Sequence, residues 1–498
     1  MSLQPQTADA ITTSPPLSDQ TMATSDDPIS EVDPAHERSE HEDSDDQMDD
    51  DDAASETSTV AYEHLDHEPW ETFQHKVAQL AHSIFPEASK IDIERMKGGS
   101  FNRVVGVTVH ARTQNIFARL VGCFKRRFYS KKLNVAKKYV LRIARDIEDS
   151  DVEQEVAVLN MLAAKLSLPT SKVFKYDTST DNVLEKPYMI QTRLEGQLLS
   201  DIGKDLNLKQ WESVIKNIIS LNDQITAFES SSSGEIAKDN ISATPQSAVS
   251  IDKFHVPRKG MTSREFTKPS TWPSQPQSVM SSMLEQCERW REYQNSKGSN
   301  WDHIWDGFSA IIRSLDERGF LDGSFSLAHG DFKGYNMLCT IQNESTVEIT
   351  GVIDWDFAMF VPKFLAFRGP FWLWLDDGTP SHVYDLEGSA TIEPTGEREC
   401  ALKSIFMAGA SDEWKKFAFA PEAILARRMF VILKDGIFGP WAVDEVAAII
   451  QEWIALHPED NIPVEETHSS DEEMSDDEMS DEEESDDEQD SDEESDDE

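Results

Sequence analysis

The spacing of hydrophobic residues divides the middle of the chain into a strand-rich part and a helix-rich part. A helical period covers residues 70–85, and apolar alternation predicts a strand around Val105 and another over residues 139–144. A helical period returns over residues 152–166. Further helical stretches are predicted at 205–228, 283–295, 301–315 and 397–458.

A hairpin interrupts the helical stretches and carries the strongest chemical signal of the chain. Residues 337–340 and 347–353 are predicted strands, separated by a polar turn. A hairpin brings its two ends together, so Asp331, Asn336 and Asp354 are expected to meet at one end. This set offers one candidate base and two oxygen ligands for a hard cation such as Mg²⁺, with positions left open for phosphate oxygens.

A second candidate pair joins the strand over residues 139–144 to the helix that follows it. Arg142 lies in the middle of that apolar strand and needs a partner if it is buried. Glu155 lies on the apolar stripe of the helix, which makes it the natural partner. Ser150 is predicted to cap this helix, with Glu153 closing a capping box.

The net charge of −48 is concentrated in two tails. Residues 1–68 contain 20 acidic side chains and one basic one, and residues 465–498 contain 22 acidic side chains and no basic one. Both tails are poor in apolar residues, so we expect them to be disordered. No apolar run is long enough for a membrane helix, and the N-terminus lacks the features of a signal peptide. Four scattered cysteines without a CxxC pair favour reduced thiols in the cytosol or the nucleus.

The tails and one basic stretch suggest protein partners. Six serines of the last tail each precede three acidic residues, which suits a casein kinase 2-type kinase: Ser470, Ser475, Ser480, Ser485, Ser491 and Ser495. The tails are interpreted either as solubilising polyanions or as docking segments for basic proteins. The basic stretch at residues 123–138 is interpreted as a solvated loop, with a nuclear-import signal or a docking patch for the tails as alternatives. Nucleic-acid binding is not expected, because the polyanionic tails would compete for this patch.

The motif H-G-D-x-x-x-x-N, followed by I-D-W-D at residues 353–356, resembles the aminoglycoside phosphotransferase family of the protein-kinase-like superfamily. The resemblance covers roughly residues 70–460. It implies an α+β, two-lobed protein-kinase-like fold that uses ATP and Mg²⁺. It implies that Asp331 is the base, in a catalytic loop with His329 and Lys333, and that Asn336 and Asp354 hold the metal.

The resemblance also assigns cofactor contacts in the first lobe. Arg142 and Glu155 match the pair that positions the α- and β-phosphates, although most of the superfamily has Lys at the strand position and Arg occurs in the related choline and ethanolamine kinases. A structural ion pair is the alternative. The resemblance implies two more segments of the site. Gly98, Gly99 and Ser100 are interpreted as a glycine turn whose backbone N–H groups can approach phosphates, with a plain hairpin turn as the alternative. Gln191 to Leu194 are expected to offer backbone groups to adenine.

Four segments follow from these predictions. They are an acidic tail (1–68), an N-lobe (69–195), a C-lobe (196–464) with the catalytic loop and an irregular insertion at about 230–280, and a second acidic tail (465–498). The N-lobe precedes the hairpin motif, which lies within the C-lobe.

Three functions are compatible with the sequence. The first is transfer of the γ-phosphate of ATP to a hydroxyl group of a small molecule. The second is an atypical protein kinase, because Lys333 matches the Lys of H-R-D-x-K-x-x-N. The third is a catalytically inactive kinase-like scaffold whose acidic tails bind basic partners.

Overall fold

The computed structural model describes residues 68–96, 98, 102–111, 136–144, 151–257, 272–375 and 388–462. These residues belong to one compact unit, Leu65–Glu498. The α+β, two-lobed fold predicted from the sequence is confirmed: a lobe built on an antiparallel sheet precedes a mainly helical lobe. Both predicted tails, most of the basic stretch 123–138, and Gly99, Ser100 and Ser150 lie outside the described residues.

The first lobe is a five-stranded antiparallel sheet in the order β1-β2-β3-β5-β4. Its elements are α1 (Trp70–Ile84), β1 (Ala88–Arg95), β2 (Asn102–Ala111), β3 (Lys137–Ala144), α2 (Val152–Lys165), β4 (Val173–Asp177) and β5 (Tyr188–Thr192). Helix α1 packs its apolar stripe on the sheet, in one core with alternate side chains of β3. That core contains Phe73, Val77, Leu80, Tyr139, Leu141 and Ile143.

Helix α2 begins one residue later than the sequence predicts. Its N-cap is Asp151, whose carboxylate accepts a hydrogen bond from the backbone N–H of Gln154 at 3.1 Å. The predicted capping role of Glu153 is wrong, because Asp151 is the N-cap and Gln154, not Glu153, is the third residue of the helix. An Asp side chain is as good an N-cap as Ser, so the helix gains the same stabilisation from a neighbouring residue.

The second lobe contains the remaining elements. They are β6 (Gln197–Leu198), α3 (Leu199–Ile202), α4 (Leu208–Thr226), β7 (Glu229–Ser230), β8 (Gly234–Ile236), β9 (Ile251–Asp252), α5 (Val279–Ser296), α6 (Asp302–Glu317), β10 (Phe325–Ala328), β11 (Met337–Asn343), β12 (Thr346–Val352), β13 (Met359–Val361), α7 (Lys363–Ala366), α8 (Glu397–Gly409), α9 (Asp412–Phe419), α10 (Pro421–Asp435) and α11 (Pro440–Leu456). The helices enclose one large apolar core. No helix of the described ranges is long and apolar enough to cross a bilayer.

The predicted hairpin is present as β11 and β12, and it lies at the junction of the two lobes. Strand β6, which follows the last strand of the first lobe, pairs with β11 and so joins the connection to the hairpin. The turn is fixed by the side chain of Asn343, which accepts a hydrogen bond from the N–H of Ser345 at 2.9 Å. The hairpin is therefore closed at its turn, and the pairing with β6 ties it to the segment that leaves the first lobe.

The segment predicted to be an irregular insertion is partly regular. Strand β7 pairs with β10, and β8 pairs with both β13 and β9, giving a second five-stranded sheet in the order β7-β10-β13-β8-β9. Strands β7, β8 and β9 are only two or three residues long, which is too short for a periodic hydrophobic signal. The partners of β7 and β8 in the later chain, β10 and β13, are distant in sequence. Residues 258–271 lie outside the described ranges.

Candidate active site

The open end of the hairpin brings Asn336 and Asp354 side by side. Met337 pairs with Val352 in the strand register, and the N–H of Ile353 donates to the carbonyl oxygen of Asn336 at 3.0 Å. Asp354 then adopts a left-handed backbone conformation (φ 63°), which Asp tolerates better than most residues. The chain turns sharply there, at the end of the strand.

The carboxylate of Asp331 is held by its neighbours and remains accessible. The side-chain amide of Asn336 donates to Oδ2 of Asp331 at 3.0 Å and to its backbone carbonyl at 2.9 Å. The hydroxyl of Tyr335 donates to Oδ1 at 2.7 Å, and Nζ of Lys333 lies 3.8 Å from the same oxygen. The Asp331 side chain is 23% exposed, so it is oriented and can still meet a substrate.

His329 orients this loop and does not titrate in the neutral range. Its ring is buried 4.4 Å from the ring of Trp355. Its Nε2 donates to the carbonyl of Ile353 at 3.0 Å, and its Nδ1 accepts from the N–H of Asp331 at 3.3 Å. Burial lowers the pKa of His329 to about 4. The predicted catalytic residue is therefore placed as a neutral positioning group.

Gly330 is required by a close approach between the catalytic loop and the loop after Asp354. Its backbone has φ +85°, which favours glycine. A Cβ atom at this position would lie 2.3 Å from the carbonyl oxygen of Phe357 and 2.5 Å from its Cβ. The glycine of the motif thus allows the two loops to pack in contact.

Arg142 joins the first lobe to this acidic loop. Its Nη2 lies 3.5 Å from Oε2 of Glu155, so the predicted contact forms. Its shortest contact is with Oδ2 of Asp356 at 2.8 Å, and Oδ1 of Asp354 lies at 3.5 Å. The side chains of Arg142 and Glu155 are only 12% and 14% exposed. Asp356 was not among the residues selected from the sequence, although it is the second Asp of the I-D-W-D motif.

Negative charge accumulates around this one guanidinium. Burial raises the pKa of Glu155 to about 7, and the charges of Asp356 and Asp354 add to the effect of burial while Arg142 opposes it. Burial also raises the pKa of Asp354 to about 6, again with a contribution from Asp356. Burial alone would lower the pKa of Arg142, but the three carboxylates raise it above its ordinary value. An added cation would relieve this repulsion.

Asn336 and Asp354 fit a hard divalent cation. The amide nitrogen of Asn336 is used by Asp331, which leaves the amide oxygen as a ligand. The Asp354 side chain is half-buried, and the exposed 42% leaves a path for a cation. Among the described residues, no group of three His, Cys, Asp or Glu side chains could hold a metal by itself. A cation here needs further ligands, and phosphate oxygens supply such ligands for Mg²⁺.

The other predicted nucleotide contacts are only partly described. Gly98 is half-buried, and Gly99 and Ser100 are not described. Gln191 is buried in β5, and Leu194 lies close to Gly351 of the hairpin.

Two backbone groups in the predicted adenine segment are already used. The N–H groups of Thr192 and Arg193 donate to the carbonyls of Lys172 and Lys138, at 2.9 and 3.1 Å. Neither N–H group can therefore pair with adenine in this conformation.

Comparison with known proteins finds one family profile that matches the middle of the chain. The profile of the phosphotransferase enzyme family matches residues 125–362. Curated relatives carry the name altered inheritance of mitochondria protein 9, mitochondrial. The Saccharomyces cerevisiae protein is 26% identical over 125 residues, which are 23% of this chain and 20% of the relative. The Clavispora lusitaniae protein is 26% identical over 211 residues, or 38% of this chain and 31% of the relative. The match to these relatives thus spans less than a third of their length.

Similar solved structures are aminoglycoside phosphotransferases. One is a thermostable mutant of APH(4)-Ia in a ternary complex with AMP-PNP and hygromycin B. It is 15% identical, and the match covers 76% of this chain and 98% of that chain with a TM-score of 0.37. Another is the GDP complex of wild-type aminoglycoside 2'-phosphotransferase-IIIa. It is 11% identical, with the same coverage and a TM-score of 0.38.

Proposed function

We propose that this protein transfers the γ-phosphoryl group of ATP, with Mg²⁺, to a hydroxyl group of a small molecule, because the profile of the phosphotransferase enzyme family matches residues 125–362. One observation carries the proposal. Asp331 is held by Asn336 at the same hairpin end as Asp354, and Arg142 reaches that end from the other lobe. The candidate base, the two candidate oxygen ligands and the guanidinium of Arg142 therefore lie at one end of the hairpin, which supports the proposal.

Asp331 acts as the base in this proposal. Its two oxygens are oriented by Asn336 and Tyr335, so an acceptor hydroxyl that displaces Tyr335 from Oδ1 donates its hydrogen bond to a fixed carboxylate. The carboxylate takes the hydroxyl proton as the oxygen attacks the γ-phosphorus, and the bond from that phosphorus to the bridging oxygen of ADP breaks. His329 holds the backbone N–H of Asp331 throughout.

Charge compensation comes from Arg142 and the cation. Asn336 and Asp354 would hold Mg²⁺, and the cation would supply positive charge that offsets the charge developing on the phosphate during transfer. Arg142 contacts Asp356 and Asp354 in this structure, and its guanidinium can exchange one of them for a phosphate oxygen. Glu155 and the side chain of Asn102, which hydrogen-bonds Glu155, keep Arg142 in place during that exchange.

The experiment incubates the full chain with γ-labelled ATP, Mg²⁺ and a small-molecule extract. Chromatography then follows label on metabolites. Asp331→Asn should reduce transfer by at least about 100-fold, the usual contribution of a general base. Glu344→Gln makes the same chemical change in the exposed turn at the far end of the hairpin, and it should transfer normally. Equal transfer by the wild type and by Asp331→Asn would refute the role of this carboxylate.

One observation favours a second candidate, an inactive kinase-like scaffold whose acidic tails bind basic proteins. Arg142 already pairs with Asp354 and Asp356, so the cation proposed for phosphate and the carboxylate proposed for the metal compensate each other without a ligand. The same labelling experiment separates the candidates. A parallel incubation contains basic proteins in place of the extract. Label on metabolites supports the small-molecule enzyme, label on the added proteins supports an atypical protein kinase, and no Asp331-dependent label in either incubation supports the scaffold.

The location of the protein stays a prediction. The sequence favours the cytosol or the nucleus, whereas the yeast relatives are named as mitochondrial proteins. Fractionation of cells that express the full chain with a C-terminal tag distinguishes these compartments. Recovery of the tagged chain inside purified mitochondria would overturn the predicted location.

A further inference from the structure

The phenol of Tyr335 occupies the base of the proposed reaction when no acceptor is bound. Tyr335 lies in the short 3₁₀ turn Gly334–Asn336, and its side chain is 46% exposed. The hydroxyl nevertheless turns inward and donates to Oδ1 of Asp331 at 2.7 Å. Among the described residues, this is the one hydroxyl that donates to the carboxylate proposed as the base.

This position is the one that an acceptor hydroxyl must take. A general base removes a proton only from a group within hydrogen-bond reach, about 2.6–3.2 Å between heavy atoms. The phenol of Tyr335 satisfies that condition without any movement of Asp331. The second carboxylate oxygen is held by Asn336, so Oδ1 is the oxygen left for the acceptor.

The surroundings of the phenol suit a phosphorylated product. Nζ of Lys333 lies 3.8 Å from Oδ1 of Asp331 and 5.6 Å from the centre of the Tyr335 ring, so a cation stands beside the hydroxyl. The backbone of the turn is fixed, because Gly334 packs against Trp372. A Cβ atom added at Gly334 would lie 3.2 Å from the indole ring. The exposed outer face of the tyrosine leaves room for a phosphate in solvent.

We propose that Tyr335 is an internal acceptor, and that the protein phosphorylates its own Tyr335 when ATP and Mg²⁺ are bound and no external acceptor is present. The proposal rests on the proposed function. The phenol oxygen forms a bond to the γ-phosphorus, and the bond from that phosphorus to the bridging oxygen breaks. ADP leaves with the bond electrons, and the phenol proton passes to Asp331 and then to water. The products are ADP and phosphotyrosine.

Phosphorylation would also open the site to external acceptors. The phosphate adds about −1.5 to −2 charge beside Asp331, and like charges at this distance repel each other. Tyr335 would then leave Oδ1, since its hydrogen is gone and its charge is unfavourable there. Self-phosphorylation would therefore convert an occupied base into a free one.

The test uses the full chain, treated first with a phosphatase and then incubated with γ-labelled ATP and Mg²⁺. Mass spectrometry of tryptic peptides locates the phosphate, and ADP formation is measured in parallel. The wild type should accumulate phosphate on Tyr335 at a rate independent of protein concentration. Tyr335→Phe should lose this label, and Asp331→Asn should slow it by at least about 100-fold. Tyr176→Phe, on β4 of the first lobe, is the matched control and should label like the wild type.

Each other outcome contradicts the inference in a distinguishable way. ADP formation that depends on Asp331, without phosphate on Tyr335, would overturn the internal acceptor and leave the proposed phosphotransferase intact. Phosphate on Tyr335 that persists in Asp331→Asn would show that another kinase added it. A rate that rises with protein concentration would mean transfer between molecules. Absence of both ATP binding and ADP formation would overturn the proposed function together with this inference.

Discussion

Gly330→Ala tests the contact between the catalytic loop and the acidic loop with a single methyl group. Gly330 has φ +85°, and an added Cβ would lie 2.3 Å from the backbone oxygen of Phe357. That oxygen belongs to the main chain, so the clash is relieved only by moving one of the two loops. The chain offers a matched control in Gly298, which also has φ +85° but has nothing within 4 Å of a built Cβ.

The expected loss in the free energy of unfolding follows from the different surroundings of the two glycines. Placing Ala in the left-handed region costs roughly 1–2 kcal/mol at either site. The loss of conformational freedom in the unfolded chain also applies equally to both substitutions. Only Gly330→Ala adds a steric clash, and overpacking of this kind costs about 1–3 kcal/mol. We therefore expect Gly330→Ala to be less stable than Gly298→Ala by about 2 kcal/mol.

The assay is urea unfolding of the full chain, followed by tryptophan fluorescence, with the two variants and the wild type measured together. Gly330→Ala should also lose phosphotransfer, because the loop movement that relieves the clash displaces Asp331 from Asn336. Gly298→Ala should retain it. Equal free energies of unfolding for the two variants would show that the loops are not in contact, and the reasoning about the glycine of the motif would fail.

Two further predictions concern the charges around Arg142. Arg142→Met keeps an apolar side chain but leaves Glu155 and its neighbouring carboxylates uncompensated. The free energy of unfolding should therefore fall by about 3 kcal/mol in the same urea assay. Arg142→Lys keeps the charge and should lose less stability. Glu155 has a folded-state pKa of about 7, above its ordinary value of 4.5. The native state therefore binds more protons between those pH values, and stability should rise as pH falls from about 8 to about 5. Glu155→Gln should reduce that dependence and leave the part contributed by Asp354, whose pKa is also raised, to about 6. An unchanged slope would contradict the assignment.

The sequence predicts the hairpin well, and it also predicts that Asn336 and Asp354 meet at its open end, because both features depend on local signals. Alternating apolar residues define β11 and β12, and a polar turn closes them. Once the strands pair, the neighbours of Asn336 and Asp354 are determined by the register. The partner of Arg142 was also predictable in part, because Glu155 is the acid on the apolar stripe of its helix.

The other contacts of the site depend on the three-dimensional packing of the loops, which the order of residues along the chain does not give. Asp354 and Asp356 flank the buried Trp355 and both reach Arg142, and the motif alone does not show that Asp356 is the nearer one. Tyr335 reaches back to Asp331 because a 3₁₀ turn tightens the loop between them. The one clue in the sequence was a tyrosine four residues after the candidate base. The short strands β7 to β9 have partners far along the chain, so no local period reveals them.

The central claim is that Asp354 and Asn336 bind a cation together with ATP at the end of this hairpin. The direct measurement is a thermal-shift titration of the full chain with ATP, with and without Mg²⁺, for the wild type, Asp354→Asn and Asp331→Asn. At a ligand concentration of 100 times Kd, binding stabilises the native state by about 2.7 kcal/mol. We expect a magnesium-dependent shift in the wild type and in Asp331→Asn, and its loss in Asp354→Asn. No magnesium-dependent shift in the wild type at millimolar ATP, or an equal shift in Asp354→Asn, would contradict the proposed site.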